Sequence, residues 1–477
     1  MWQTTKEIWE NELVQDDGHM MQVVVALAGV LVSISLGYLY AHEIFVEGWQ
    51  LWTWLITVAL VSGILISWRE RPFSNPTLQS VINIWPLPAL LAGGLLLRVF
   101  FLETVPGGLH VDEMGLANFT MLHVFPEGKT LTLSPFRTGW SSQPSLHNYI
   151  IWLSLKLAGY SIAGLRLSSA IAGTLAIFST YAVVAVFQDR RTALIAAAII
   201  TTYHYHIHWS RLALNNIWDT VWLPLTLAAF AWGWHKNWSG GAVLAGLAAG
   251  FSQYFYGGSK IGLFLFPLVL FALYHRESDR RRLIIHGGKF LATALTVAAP
   301  ILLFALLEPG LYLERARVVM GWTETAVVET IGEYNLLHYL GYQLWHNFGA
   351  FTSLADITGF YGPEVPFLIG LAAPLFVIGF FWTIWKRCYL PAAWVLLTML
   401  FGGIMLTGAP SSSHYVVVIP AICWLVALPI AWLWEKDYKT IAMITLAAIM
   451  ATDLYFYFLI YVPGKPRDLF NAMPPLP

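Results

Sequence analysis

Thirteen apolar stretches, most near twenty residues long, fix what this chain can become. A helix that crosses a bilayer needs roughly 20 apolar residues to cover about 30 Å of hydrocarbon. The stretches lie near 21–41, 50–67, 83–101, 162–187, 192–208, 212–235, 240–256, 260–275, 284–307, 366–385, 389–407, 414–434 and 439–461. In lipid a backbone must satisfy its own hydrogen bonds, and a helix does so within one segment. The expected fold is an all-α polytopic membrane protein with about 13 transmembrane helices. Only 11% of residues are charged, where soluble domains carry about 25%. A net charge of −1 offers no basic field for nucleic acid. Cys388 and Cys423 fall in or beside apolar runs, which argues against a disulfide framework or a Cys-based zinc site. The acidic opening "MWQTTKEIWENELVQDDGHM" lacks the basic start of a cleaved signal peptide, so the first apolar run reads as a retained span. Many of the 23 Trp stand at segment ends, as in "WQLWTW" (49–54) and "WEKDY" (434–438), where an interfacial belt belongs.

Basic loops set the sidedness. If "SLHNYIIWLSLKLAG" (145–159) does not span, then "WRERPF" (68–73), "QDRR" (188–191), "HKN" (235–237), "HRESDRRR" (275–282), "WKR" (385–387) and "EKDYK" (435–439) share one side. All are short and contain Lys or Arg, which places them in the cytoplasm. The N-terminus is then inside, the C-terminus outside, and 145–159 lies along the outer surface as a helix. Two long loops, 102–161 and 308–365, face outward. Their apolar and aromatic content ("GFYGPEVPF", 359–367) favours folded caps. The chain divides into two N-terminal spans (1–82), a core with the first outer loop (83–307), an outer cap (308–365), and C-terminal spans with an outer tail (366–477).

Charges inside apolar segments mark function by default, because an ion at mid-bilayer costs about 2.5–3.5 kcal/mol on insertion scales. Here Arg98, Arg166, Asp219, Lys260 and Asp453 all fall in outer halves of spans, and only Lys289 lies near a cytoplasmic end. Snorkelling or helix pairing explains such residues one at a time. As a group they favour a site at the outer interface over a transporter, which wants ionisable groups near the midplane of a repeat. "GGLHVDEMGLANF" (107–119) adds the chain's only adjacent Asp-Glu pair, just past an apolar segment. Asp112 there suits either a helix N-cap or a general base.

Three outer stretches line up: "LLLRVFFLETVPGGLHVDEMGLANFTMLHV" (95–124), "SSQPSLHNYIIWLSLKLAGYSIAGLRLSSAIAGTLAIFSTY" (141–181) and "TTYHYHIHWSRLALNNIWDTVWLPL" (201–225). Together they resemble the GT-C glycosyltransferases, in particular the protein O-mannosyltransferase and lipid A aminoarabinose transferase branch. The resemblance covers roughly 83–275 and weakens over 308–477. It implies transfer of a sugar, a hexose such as mannose, from a polyprenyl phosphate to a hydroxyl of a lipid, glycan or protein. It also implies that the transfer inverts the sugar and occurs on the outer side of the plasma (inner) membrane. On this match Asp112 is the catalytic base, with Glu113 orienting the acceptor or a neighbouring cation. Arg166 ("Leu-Arg") and Arg211 ("Ser-Arg") hold the donor phosphate, joined by Lys260 after "YFYGGS" and by His414. Asp219, which could also orient Arg211, and His147 and Gln143 are candidates for the sugar or acceptor.

A nucleotide-binding fold is not needed, and "GGAVLAGLAAG" (240–250) reads as small-residue helix packing. A divalent metal is left open. Where the aminoarabinose transferases have "Glu-Lys-Pro", this chain has Ser142, Gln143 and Pro144, which puts a zinc site there in doubt. His204 and His208 share a helix face, as metal ligands can, but no acid accompanies them in that stretch. Two other functions are weighed. A polysaccharide polymerase or ligase using a polyprenyl diphosphate would lean on Arg315 and Arg317 in "LERARVV" and tolerate loss of Asp112. A lipid-linked-sugar flippase or transporter would need charges deeper in the bundle.

Overall fold

A computed structural model describes residues 2–41, 48–66, 85–124, 133–277, 279–356, 361–362, 364–407, 410–464, 470 and 472–474, with backbone alone for 2–19, 40, 41, 48 and 277. The basic loop "WRERPF" (68–73) lies outside the described residues. A helix occupies every one of the thirteen apolar segments. Six are long and apolar enough to cross a membrane alone, and a seventh crossing exists if Ala372–Trp385 and Leu390–Ile404, bent by 118°, count as one. Apart from Gly48–Leu65, the remainder are shorter than the apolar runs suggest. The 192–208 run, for instance, breaks at Tyr203 into Arg190–Thr202 and His204–Ser210. The first helix is longer than expected, since the polar opening continues it back to Trp2. Among the described residues no β-ladder forms beyond three isolated bridges.

Local chemistry sets the helix starts. Asp189 caps Arg190–Thr202 by accepting from the backbone N–H groups of Arg191 and Thr192, at 2.8 and 3.0 Å. Asp279 caps Arg280–Leu307 through Arg282 N–H, and Ser161 caps Ile162–Phe187 through Gly164 N–H. Each cap satisfies a donor that the first helical turn leaves open.

Asp219–His235 sits at the centre of the core, packed on Ile162–Phe187 and Gly240–Ser252. Small residues allow the close approach: a Cβ on Gly233 would meet Gly241 Cα at 2.7 Å. Gly246 and Gly250 face Arg280–Leu307 in the same way. "GGAVLAGLAAG" is therefore a packing face. Ile419–Glu435 is buried along almost its whole length against Arg190–Thr202 and Ala372–Trp385. The N-terminal pair covers the core from one side: Trp2–Ala41 runs along Arg280–Leu307, and buried Trp54 donates its Nε1–H to Val297 O at 3.2 Å.

A second, smaller core builds the outer cap. Leu109, Leu116, Met121, Ile151, Leu155 and Leu165 close it, with Phe470 and Met473 of the C-terminal tail packed against them. Leu146–Ala158 lies here, resting on Val111–His123 and Ile162–Phe187 and ending at Gly159, whose φ is +89°. Its 13 residues are too few to span a bilayer. The tail is tied down by Leu109 N–H donating to Phe470 O at 2.7 Å and by Tyr160 OH donating to Pro474 O.

Candidate active site

The adjacent carboxylates at the head of Val111–His123 have different environments. Glu113 is fully buried and makes two bonds to one guanidinium: Arg166 Nε to Oε1 and Arg166 Nη2 to Oε2, both 2.8 Å. It also accepts from Ala213 N–H at 2.8 Å and, in a capping box, from His110 N–H at 3.0 Å. Burial pushes its pKa up, but the Arg166 guanidinium and these hydrogen bonds outweigh that and hold it below its ordinary value. No lone pair is left for an acceptor, so of the two expected roles the geometry gives Glu113 the second, orienting a neighbouring cation, Arg166. Asp112, one residue earlier, is half-buried. Its own backbone N–H donates to His110 Nδ1, so His110 is the side-chain cap and Asp112 is not. Burial raises the Asp112 pKa, His110 and Arg315 partly offset the rise, and Glu113 adds to it.

The arginines also depart from expectation. Arg166 donates to Pro106 O at 3.0 Å and to Gly108 O besides Glu113, so it clamps the loop that leads to the Asp-Glu pair. Arg211 donates to Val105 O, Leu97 O and Phe100 O at 3.0, 2.7 and 2.6 Å, capping the end of Pro86–Val99. Arg98 reaches Ile200 O and His206 Nδ1 at 3.2 and 2.7 Å. All three are buried. A guanidinium has five donors in a fixed fork, and here those forks point at protein oxygens and at His206. In this arrangement Arg166 and Arg211 hold residues 97–108, and neither is among the residues that line the cavity bordered by Lys260.

The cavity lies beside them. It encloses about 270 Å³ and draws its walls from five segments that the basic-loop pattern placed on the outer side: 138–144, 255–261, 312–319, 398–406 and 414–417. Gln143, Lys260 and His414 line it, as expected, and so does Arg315. The Lys260 ammonium sits 4.7 Å from the centre of the Tyr312 ring, and His414 stacks on Tyr256. Asp219 lies beneath this turn. Its Oδ1 accepts from Ser259 Oγ at 2.7 Å, and a Cβ on Gly258 would collide with its Oδ2. It therefore supports the segment carrying Lys260. It does not orient Arg211 and does not line the cavity. Gln143 accepts from Asn215 Nδ2 at 2.7 Å.

His147 borders a smaller recess with Gln143 and Asn215, beside the ring of Phe255. Burial lowers its pKa to about 3, despite a raising contribution from the Ala213 backbone, so its imidazole is neutral near pH 7. The Trp140–Ser142 turn packs on both Val111–His123 and Glu314–Val318, and Ser142 Oγ donates to Glu314. Asp112 and Arg315 thus belong to helices on the two sides of one short turn. Arg315 stood out in the sequence only for the polymerase or ligase alternative, and nothing local pointed it toward the cavity that Lys260 lines.

The "HYHIH" histidines turn inward to protein partners. His204 Nδ1 meets Tyr361 OH at 2.6 Å, and its Nε2 lies 3.7 Å from Asp453. His206 pairs with Arg98, and His208 stacks on Tyr361 with ring centres 4.4 Å apart. Asp453 supplies an acid from the last helix that the local stretch lacks. Among the described residues no group of three or more His, Cys, Asp or Glu is placed to hold a metal ion.

Residues 142–304 match the family described as dolichyl-phosphate-mannose-protein mannosyltransferase. No curated protein matches the chain. Among solved structures, the fold is similar to the Archaeoglobus fulgidus oligosaccharyltransferase in complex with Zn and sulfate, with TM-score 0.51, 15% identity, and coverage of 80% of this chain and 54% of that one. The apo form of the same protein gives 0.51 at 16% identity, covering 81% and 57%. ArnT from Cupriavidus metallidurans bound to undecaprenyl phosphate overlays at TM-score 0.48 and 17% identity, covering 77% and 65%. The chain thus spans about half the length of the archaeal protein. This multi-pass membrane chain thus has a fold similar to that of the archaeal oligosaccharyltransferase, and its residues 142–304 carry the mannosyltransferase family match.

Proposed function

We propose that this chain is a glycosyltransferase that moves a sugar, a hexose such as mannose, from a polyprenyl phosphate to a hydroxyl at the extracytoplasmic face of the plasma membrane. The observation that carries the reading is the pairing of a half-buried carboxylate, Asp112, with a cavity on the same end of the bundle that holds Lys260, Arg315 and His414. Asp112 takes the proton from the acceptor hydroxyl. The freed oxygen attacks the sugar C1 as the C1–O bond to phosphate breaks, inverting the centre. Negative charge developing on the departing phosphate is met by Lys260 and Arg315, and cations fixed in advance are most effective at that moment. The raised pKa makes Asp112 a stronger base than an ordinary carboxylate. Gln143 and the neutral His147 provide hydrogen-bonding groups for the sugar or acceptor, while Glu113, Arg166, Arg211 and Asp219 position the elements around them. The lipid, glycan or protein acceptor approaches from the outer side.

Purified protein incubated with a set of radiolabelled polyprenyl-phosphate sugars tests the reading. Wild type should transfer label from one of them, and Asp112→Asn should not. Two cations lining one cavity also suit a diphosphate donor, as in a polymerase or ligase. That second reading is the one left standing if Asp112→Asn turns over normally while Arg315→Ala does not.

A further inference from the structure

We propose that the cytoplasmic end of the bundle carries a binding site for an anionic glycerophospholipid of the inner leaflet. A cavity of about 1010 Å³ opens there among Pro86–Val99, Arg190–Thr202, Ile419–Glu435 and Lys439–Tyr455, against about 270 Å³ for the outer one. Its walls are apolar, with Ala89, Leu90, Leu194 and Leu446 among them, and Trp85 and Trp434 line it at helix ends. Two guanidiniums, Arg190 and Arg191, share that lining. They belong to the "QDRR" loop that the basic-loop pattern assigns to the cytoplasm.

Charge decides the occupant. Arg190 Nη2 is buried and makes no hydrogen bond. The Arg191 guanidinium lies 5.9 Å from the centre of the Trp434 ring. Among the described residues neither neighbouring acid forms an ion pair with the two guanidiniums. Asp189 is committed to the helix cap, with Oδ1 accepting from Arg191 N–H and Thr192 N–H and Oδ2 from Thr192 Oγ1. Glu435, the other acid of the lining, is exposed to water. A buried guanidinium nitrogen without an acceptor is costly, and phosphate oxygens match the guanidinium fork. Apolar walls beneath a phosphate site describe a lipid with acyl chains, and basic pockets between spanning helices on the cytoplasmic side take anionic headgroups. The site stands at the opposite end of the bundle from Asp112 and does not depend on the transferase reading.

Delipidated full-length protein is exposed to phosphatidylglycerol or phosphatidylcholine, and retained lipid is counted by native mass spectrometry alongside the thermal unfolding midpoint. Wild type should retain one phosphatidylglycerol per chain in preference to phosphatidylcholine and gain thermal stability from it. Arg190→Gln should weaken retention about fivefold, the effect expected of one basic residue at an anionic headgroup. Ala198→Trp, which sets an indole into the cavity and leaves both arginines in place, should weaken retention further while the protein still unfolds cooperatively. Equal retention of the two lipids overturns the proposal, as does unchanged retention in both variants. So does a wild type that retains no lipid, the result if residues 67–84 of this chain fill the cavity. Displacement of phosphatidylglycerol by an equal concentration of polyprenyl phosphate overturns it as well.

Discussion

One end of the bundle contains two charged regions that differ in what their charges meet. In the clamp, Glu113, Arg166, Arg211 and Arg98 are buried, and their charged groups bond almost wholly to protein partners. In the cavity, Lys260, Arg315 and His414 line open space, and Asp112 is only half-buried. A charge that is saturated by its own protein fixes geometry. One that is only partly satisfied can meet a ligand. Residue type does not separate the two regions; the partners do.

Breaking the clamp should cost the most. Glu113→Gln leaves the Arg166 charge buried without its counter-ion, and removing one partner of a buried pair costs about 3–5 kcal/mol. Thermal unfolding in detergent should show a large fall in midpoint or a loss of folded protein. A variant that melts like wild type would mean the pair is dispensable, and the contrast with the cavity would dissolve. Asp112→Asn should do the reverse: turnover falls about 10²–10⁴-fold, the usual worth of a general base, with the unfolding midpoint unchanged. Lys260→Ala should remove about 3 kcal/mol of transition-state stabilisation, read as kcat/KM on the lipid-linked donor, again without a stability change. Gly258→Ala sits between the regions. Its new methyl meets Asp219 Oδ2 and pushes on the turn that carries Lys260, so a loss of about 1–3 kcal/mol in stability should accompany a modest loss of activity.

The two carboxylates should also separate by pH. Asp112 acts in its ionised form and has a raised pKa, so activity should fall, as pH drops, at values above the ordinary Asp range. Glu113 has a depressed folded pKa, so its stabilisation is fully present above about 4.5, its ordinary value, and is lost as pH falls through the lower folded value. Activity should disappear first and the fold afterwards. A single transition in both measurements would sink the distinction.

The sequence carries the helical architecture openly, because apolar length and basic loops report directly on the bilayer. All thirteen apolar runs became helices, and "GGAVLAGLAAG" packs as its small residues suggest. The arginines are harder to read. Arg166 and Arg211 lie where a phosphate ligand would, yet a guanidinium that binds phosphate and one that caps carbonyls look identical in a string of letters. What separates them is the path of residues 97–108, whose carbonyls turn back onto both side chains. The same limit hides the meeting of His204 with Asp453, 249 residues along the chain, and the arrival of Arg315 in the cavity that Lys260 lines.

The C-terminal tail sets an order in time. Tyr160 bonds to a carbonyl 314 residues further on, and Leu109, three positions before Asp112, pairs with Phe470. The Glu113–Arg166 centre needs nothing beyond Ala213, so it can form early in synthesis, whereas the cap around it closes only once residues 470–474 have been made.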